Sequence, residues 1–166
     1  MQHANNNGIF LLLGTNLGNR LENLLRARHL LTKNTVEVLR ESSVYLTKAW
    51  GNTAQPDFLN QVIEVKTLLP PETLLETILA IEHEMGRVRK QKWGARLIDI
   101  DILFYNDGII ELPHLTIPHP ALHKRRFTLV PLAEIAPKFV HPVLENSVEE
   151  LLKDCEDEQA VEKFRQ

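Results

Sequence analysis

Ile98-Asp99-Ile100-Asp101-Ile102 is the stretch of the 166-residue chain whose residue types and spacing point most directly at chemistry. On a β-strand successive side chains face opposite sides, so the isoleucines turn toward a core and Asp99 and Asp101 share the other face. Two steps along a strand separate them by roughly 6.5 to 7 Å, a span that lets the carboxylates grip one hard divalent ion or hold two ions bridged by a ligand. Without a cation they repel. An isolated Asp-x-Asp reads equally as the solvent side of an edge strand, so the neighbours carry the weight. Immediately upstream, Gly86-Arg87-Val88-Arg89-Lys90-Gln91-Lys92-Trp93-Gly94-Ala95-Arg96 is a glycine-bounded loop with five cationic side chains. A basic loop beside paired carboxylates is what a metal-assisted phosphate site requires. The metal bridges carboxylate to phosphate, and arginines take the remaining oxygens.

Further cations and two histidines follow in Pro118-His119-Pro120-Ala121-Leu122-His123-Lys124-Arg125-Arg126-Phe127. Taken singly, His119 reads as a structural or surface histidine. No His/Cys pattern at zinc-ligand spacing is present, and the carboxylate pair favours a harder ion. Nor is there a P-loop, so phosphoryl chemistry has to use another scaffold. Gly14-Thr15-Asn16-Leu17-Gly18 alone is a weak phosphate signal. Around Thr47-Lys48-Ala49-Trp50-Gly51 and Pro56-Asp57-Phe58-Leu59-Asn60, Trp50 and Phe58 could form an aromatic wall. Asn60, with its paired amide donor and acceptor, could read a heterocycle, although core packing and a turn account for these residues as well.

The elements that must position these groups are legible from periodicity. Ile9 to Leu13 is a short apolar run, read as a buried strand, and the turn-rich Gly14–Asn19 follows it. Leu21, Leu24, Leu25, Ala27 or Arg28, and Leu31 then recur at helical spacing up to a stop at Asn34. Val36 through Leu46 reads as one β-branched strand and Phe58 to Leu68 as the next. Pro70 and Pro71 open a second helix with an apolar stripe of Leu74, Leu75, Ile78, Leu79, Ile81 or Glu82, and Met85, closed by Gly86. Ile98 to Tyr105 is the fourth strand, before a turn at Asn106-Asp107-Gly108. The order βαββαβ predicts an α+β, ferredoxin-like sandwich, both helices on one face of an antiparallel sheet, with a C-terminal extension containing a short helix around Val148 to Lys153.

Composition bounds the rest. Hydrophobic residues at 43% and charged residues at 25% exclude a disordered or membrane-embedded chain and suit one globular domain. Residues 1–8 read as a solvated leader without a packing role. Residues 9–166 read as a single domain whose acidic tail, about 145–166, is expected to be a solvated helix. The lone Cys155 excludes an internal disulfide framework and suits a reducing compartment, and nothing resembles a targeting or membrane segment, so the cytoplasm is expected. The net charge of -3 gives no general pull toward nucleic acid or anionic lipid, and anion binding must come from local clustering.

In order along the chain, several of these motifs resemble one family, the 6-hydroxymethyl-7,8-dihydropterin pyrophosphokinases of folate biosynthesis. They are Gly14-Thr15-Asn16-Leu17-Gly18, Gln55-Pro56-Asp57-Phe58-Leu59-Asn60, Glu82 with Gly86-Arg87-Val88-Arg89, Trp93 through Leu103, Leu115-Thr116-Ile117-Pro118-His119-Pro120 and Arg125-Arg126-Phe127. The resemblance implies transfer of the terminal pyrophosphoryl unit of ATP to the pterin hydroxymethyl group, with AMP leaving and two Mg2+ ions bound. It implies that Asp99 and Asp101 hold the metals and that Arg87 and Arg96 neutralise phosphate charge at the reacting centre. Glu82, Arg89, Trp93, Ile102, Thr116, His119 and Arg125 would line the ATP side. Phe58 and Phe127 would sandwich the pterin, read by Asn60 and by the backbone around Thr47 and Trp50. Ala95 and Leu97 stand where the family usually has proline and threonine, Ala49 where proline is common, and Pro120 where other members carry an aromatic. ATP and the pterin are the partners expected, with no nucleic acid, membrane or obligate protein partner. Two other readings fit parts of the pattern. An RNA-recognition module shares the βαββαβ order, and a nucleotide-sugar transferase or metal nuclease shares the Asp-x-Asp.

Overall fold

A computed structural model describes residues 6–48, 56–86 and 97–165. The first half runs β1 (Ile9–Thr15), α1 (Arg20–Lys33), β2 (Glu37–Glu41), β3 (Tyr45–Thr47), β4 (Phe58–Lys66) and α2 (Pro71–Glu84). There follow β5 (Asp99–Tyr105), a small hairpin of β6 (Ile110–Leu112) and β7 (Leu115–Ile117), α3 (Arg126–Ile135), α4 (Val148–Asp154) and β8 (Glu162–Lys163). The main sheet has the order β5-β1-β4-β3-β8, with β2 also on β4. Its pairings are antiparallel. This is the ferredoxin-like sandwich that the element order predicts.

β1 is central and every residue of it is buried, because it carries apolar side chains toward both faces. Ile9, Leu11 and Leu13 join Leu24, Ala27 and Leu31 of α1 and Leu74, Ile78 and Ile81 of α2 in one core. Phe10 and Leu12 join a second core under α3 and α4, with Leu129, Leu132, Val148 and Leu151. The C-terminal extension therefore roofs part of the second face and leaves the rest for a site. Both predicted amphipathic helices form. α1 is capped by Asn19, whose side chain accepts from Glu22 N at 3.1 Å, and α2 starts on Pro71. Leu25 and Leu79, counted into the apolar stripes, are exposed.

Four expectations change. The strand read from Val36 to Leu46 is two short strands, β2 and β3, both paired with β4. Between them Ser42 Oγ accepts from Val62 N at 3.0 Å, so a side chain takes a partner that a regular ladder would give to backbone. Gly14, read as part of a turn, lies within β1, opposite Asn60 and Asp99. Of the leader, the described residues 6–8 are tied down: Asn6 Nδ2 donates to Val140 O at 3.0 Å, and Gly8 N donates to Asn106 Oδ1 at 2.9 Å. The acidic tail is helical only to Asp154. It then continues without regular structure to β8, which pairs with the edge of β3, where Phe164 N donates to Val44 O and the Phe164 ring packs on the first core.

Along β5 the alternation holds from Asp99 to Ile102, and then a bulge interrupts it. Ile102 is opposite Leu11 and Phe104 opposite Phe10, leaving Leu103 as the extra residue. Leu103 and Phe104 thus both enter the second core, while Tyr105 returns to the first.

Candidate active site

β5 is an edge strand, and its unroofed half carries the predicted carboxylates. Ile98, Ile100 and Ile102 are buried in the helix-side core, and Asp99 and Asp101 are half-buried on the other side. A cavity of about 620 Å³ opens at the free edge of β5, between α2 and the β6–β7 hairpin, and takes in both aspartates. Glu82, Ile102, Thr116 and His119 line it together with both aspartates, so four residues of the expected ATP side meet the expected metal pair in one space. Thr116 is exposed on β7, which brings it to this mouth.

Glu82 is buried in α2, and its Oε2 accepts from Ile100 N at 2.8 Å. This bond gives an edge-strand N–H its acceptor at the residue between the two aspartates, so Glu82 fixes the backbone from which both project. His119 is anchored through its backbone N to Leu103 O at 3.0 Å. Its Nδ1 accepts from Ala121 N at 3.1 Å, which assigns the ring proton to Nε2, the nitrogen 4.0 Å from Asp101 Oδ2. Burial, reinforced by the Arg125 charge and opposed by Asp99, lowers the His119 pKa to about 4. At neutral pH the His119–Asp101 contact is therefore not an ion pair, and the ring offers an uncharged N–H into the cavity.

The pterin-side residues gather two strands away. Asn60 and Thr47 are both buried, and Asn60 Nδ2 donates to Thr47 Oγ1 at 2.7 Å. Gly14 lies between Asn60 on β4 and Asp99 on β5 in the sheet register, so these two functional positions are separated by two strand spacings, about 10 Å. A Cβ at Gly14 would lie 3.0 Å from Asn60 Oδ1 and 3.9 Å from Phe58 Cδ1. The missing side chain is what keeps the floor between the two halves clear. Phe58 and Phe127 are half-buried. The Arg125 guanidinium carbon stands 5.5 Å from the Phe127 ring centroid, and the same cation acts on His119, linking the two sides. Arg87, Arg89, Trp93, Arg96 and Trp50 lie outside the described residues.

Three positioning groups escape sequence reasoning. Besides Gly14, Asn16 Nδ2 donates to Pro56 O at 3.1 Å and Arg20 Nη1 to Asp57 O at 2.9 Å, fixing the entry to β4 just before Phe58. The asparagine of the Gly14-Thr15-Asn16-Leu17-Gly18 motif was a visible signal; nothing in the local pattern singles out Arg20. Among the described residues no group of three or more His, Cys, Asp or Glu converges as a metal cage. The donor set is two carboxylates on one face, which suits a hard cation whose remaining ligands are water and phosphate oxygens and does not suit zinc.

A protein-family model of 7,8-dihydro-6-hydroxymethylpterin-pyrophosphokinase (HPPK) matches residues 10–137. A 2-amino-4-hydroxy-6-hydroxymethyldihydropteridine pyrophosphokinase of Aquifex aeolicus is 44% identical over 86% of this chain and 88% of its own length. The enzyme of the same name from Haemophilus influenzae is 39% identical over 92% of this chain and 95% of its own. Among solved structures, a Plasmodium falciparum HPPK-DHPS superposes with a TM-score of 0.71 at 19% identity, which speaks to fold, and covers 89% of this chain. The chain spans 44% of that longer protein. With the family model spanning most of the sequence and full-length relatives at this identity, the chain belongs to the 7,8-dihydro-6-hydroxymethylpterin-pyrophosphokinase family, the enzymes that transfer pyrophosphate from ATP to the hydroxymethyldihydropterin in folate synthesis.

Proposed function

We propose that the unroofed face of the sheet carries this transfer as an in-line, magnesium-assisted attack on the β-phosphorus of ATP. The supporting observation is the shared floor. Asp99 and Asp101 face one cavity with Thr116 and His119, and the buried Asn60–Thr47 pair stands across Gly14 from Asp99. The pterin hydroxymethyl oxygen forms the new bond to the β-phosphorus, and its proton passes to solvent water. The bond from that phosphorus to the oxygen bridging it to the α-phosphorus breaks, and AMP leaves with the oxygen.

Asp99 and Asp101 would hold two magnesium ions, whose chemistry is to neutralise phosphate charge and to align the triphosphate. Asn60 and Thr47 orient the pterin through paired donors and acceptors, with Phe58 and Phe127 as aromatic walls. His119, neutral and donating from Nε2, contributes a hydrogen bond to a phosphate oxygen, and Arg125 contributes charge. Arg87 and Arg96 are assigned to the developing charge at the reacting centre, and Arg89 and Trp93 to the nucleotide, on the motif alone. Catalysis then rests on positioning and electrostatics, which is how phosphoryl transfer generally proceeds. We place the reaction in the cytoplasm, consistent with a lone cysteine; among the described residues no helix is long and apolar enough to cross a membrane.

Incubating the protein with ATP, Mg2+ and 6-hydroxymethyl-7,8-dihydropterin is expected to yield AMP and the pterin diphosphate in equal amounts. ADP as the nucleotide product, or AMP formation independent of the pterin, would overturn the proposal. The RNA-recognition reading loses its platform, because α3 and α4 roof much of the face such modules leave open for base stacking.

A further inference from the structure

The segment after α4 lies outside the residues that the family model matches, yet its contacts converge on the pterin side. Gln159 Nε2 donates to Lys48 O at 2.9 Å, the carbonyl directly after Thr47. Asp157 Oδ2 accepts from Arg126 N at 3.0 Å, the N–H directly before Phe127. The Phe164 ring lies 5.7 Å from the guanidinium carbon of Arg20, which holds Asp57 O directly before Phe58. Thr47, Phe127 and Phe58 are thus each adjacent in sequence to a group that the tail holds, directly or through Arg20.

The contacts within the tail make it one unit. Asp157 Oδ1 accepts from Gln159 N at 3.0 Å, so the aspartate that caps α3 also sets the backbone turn presenting Gln159. α3 needs this partner, because its own N-cap residue, Arg125, makes no side-chain capping bond. A carboxylate at that end also suits the helix dipole. Downstream, β8 hydrogen-bonds along the edge of β3, which carries Thr47 at its end. Edge pairing by β8 supplies the general attachment, and Asp157 and Gln159 supply the directed ties.

We propose that Asp157 and Gln159 are positioning residues for the pterin half of the site, a strap that fixes the spacing between the Thr47 side and the Phe127 wall; this rests on the pterin assignment above. The hydrogen bonds of Asp157 and Gln159 described above run to Arg126, Lys48 and each other, and neither Arg126 nor Lys48 lines the cavity of Asp99, Asp101, Thr116 and His119, so loosening them should spare the nucleotide half.

The test is steady-state kinetics of the full chain carrying Asp157→Ala, Gln159→Ala or both, with the pterin and ATP varied separately. The expected result is a rise in the KM for the pterin of about tenfold in the double variant, with kcat and the KM for ATP within about twofold of the unsubstituted chain. Asp157→Asn, which keeps one of the two acceptor oxygens and turns an amide NH2 toward the other donor, should recover only part of that loss, and Glu158→Ala, on an exposed neighbour, should change nothing. A purely structural role predicts instead a fall in kcat tracking the folded fraction, with both KM values unchanged; that result, or an unchanged pterin KM, would overturn the proposal. The unsubstituted chain separates the two hypotheses. Absence of pterin-dependent AMP from it sinks the function, whereas normal turnover with unaffected variants sinks the strap alone.

Discussion

Gly14→Ala probes the floor between the two halves of the site with the smallest possible side chain. The glycine's backbone is not among the positive-φ residues, so alanine meets no conformational penalty there. Restricting the unfolded chain should even stabilise the protein by about 0.4 to 1 kcal/mol. The cost is local. The added Cβ would sit 3.0 Å from Asn60 Oδ1, against 3.4 Å or more for ordinary contact, so the Asn60 amide must retreat by about 0.4 Å. It cannot do so freely, because its Nδ2 is held by Thr47 at 2.7 Å in a buried setting. Breaking or bending that bond costs about 1 to 3 kcal/mol, which roughly cancels or modestly exceeds the entropic gain. Stability should therefore stay within about 2.6 kcal/mol of the unsubstituted chain. The reader amide, however, is displaced from the place where it meets the heterocycle. Losing its alignment is worth about 1 to 3 kcal/mol of binding, a rise in pterin KM of roughly 5- to 150-fold. The assay is initial-rate AMP formation with the pterin varied at saturating ATP, alongside thermal unfolding. An unchanged pterin KM at unchanged stability would refute the packing argument, because it would mean that the contact with Asn60 is relieved without consequence for the site.

Asp99→Asn and Asp101→Asn should each lower kcat by about 100-fold or more, since they remove a charge aimed at the phosphate-side cavity. Both sites are half-buried at the cavity mouth, so unfolding free energy should move by only about 0.5 kcal/mol, and near-normal kinetics in both variants would return the pair to an inert edge-strand role. Acid should weaken the fold before carboxylates titrate. His141 Nδ1 accepts from Val143 N and Leu144 N, and burial, with a contribution from His123, lowers its pKa from the usual 6.5 to about 4. Above pH 6.5 the ring is neutral in both folded and unfolded chains; between 6.5 and 4 only the unfolded chain takes the proton, so stability falls as pH falls through that window. Allowing for solvent screening, the loss by pH 5 is about 1 kcal/mol, or roughly 2 to 4 °C in Tm, and equal Tm values at pH 7.5 and pH 5 would contradict it.

What the sequence revealed and concealed follows from how local each determinant is. The two amphipathic helices and the alternation of Ile98 through Ile102 are local patterns, and each appears where its spacing predicts. The metal-side grouping was legible because Asp99 and Asp101 share one strand. That Thr116 and His119 reach the same cavity depends on a hairpin and on a backbone bond to β5, neither of which has a period to read. α3 was hidden among prolines, including Pro131 within the helix itself. The tail looked like a helix because its acidic residues resemble a solvated helical face, but its conformation is decided by a distant partner, the open edge of β3. Gly14 looked like a turn residue because glycine usually signals one. Only the neighbouring strands reveal that the lack of a side chain, and not the freedom of the backbone, is what the position uses.

The bulge at Leu103 links the two halves of the nucleotide side more tightly than strand geometry alone would. The extra residue has no counterpart on β1, and its carbonyl is taken by His119 N. Removing that one residue would leave Asp99, Ile100, Asp101 and Ile102 on their present faces and would also keep Phe104 and Tyr105 on theirs, because the interruption spans a single position. What would be lost is the socket that holds His119 beside Asp101. The irregularity is therefore a coupling joint: the carboxylates belong to the sheet and would survive its loss, while the histidine's alignment with them depends on one residue that the ladder itself does not need.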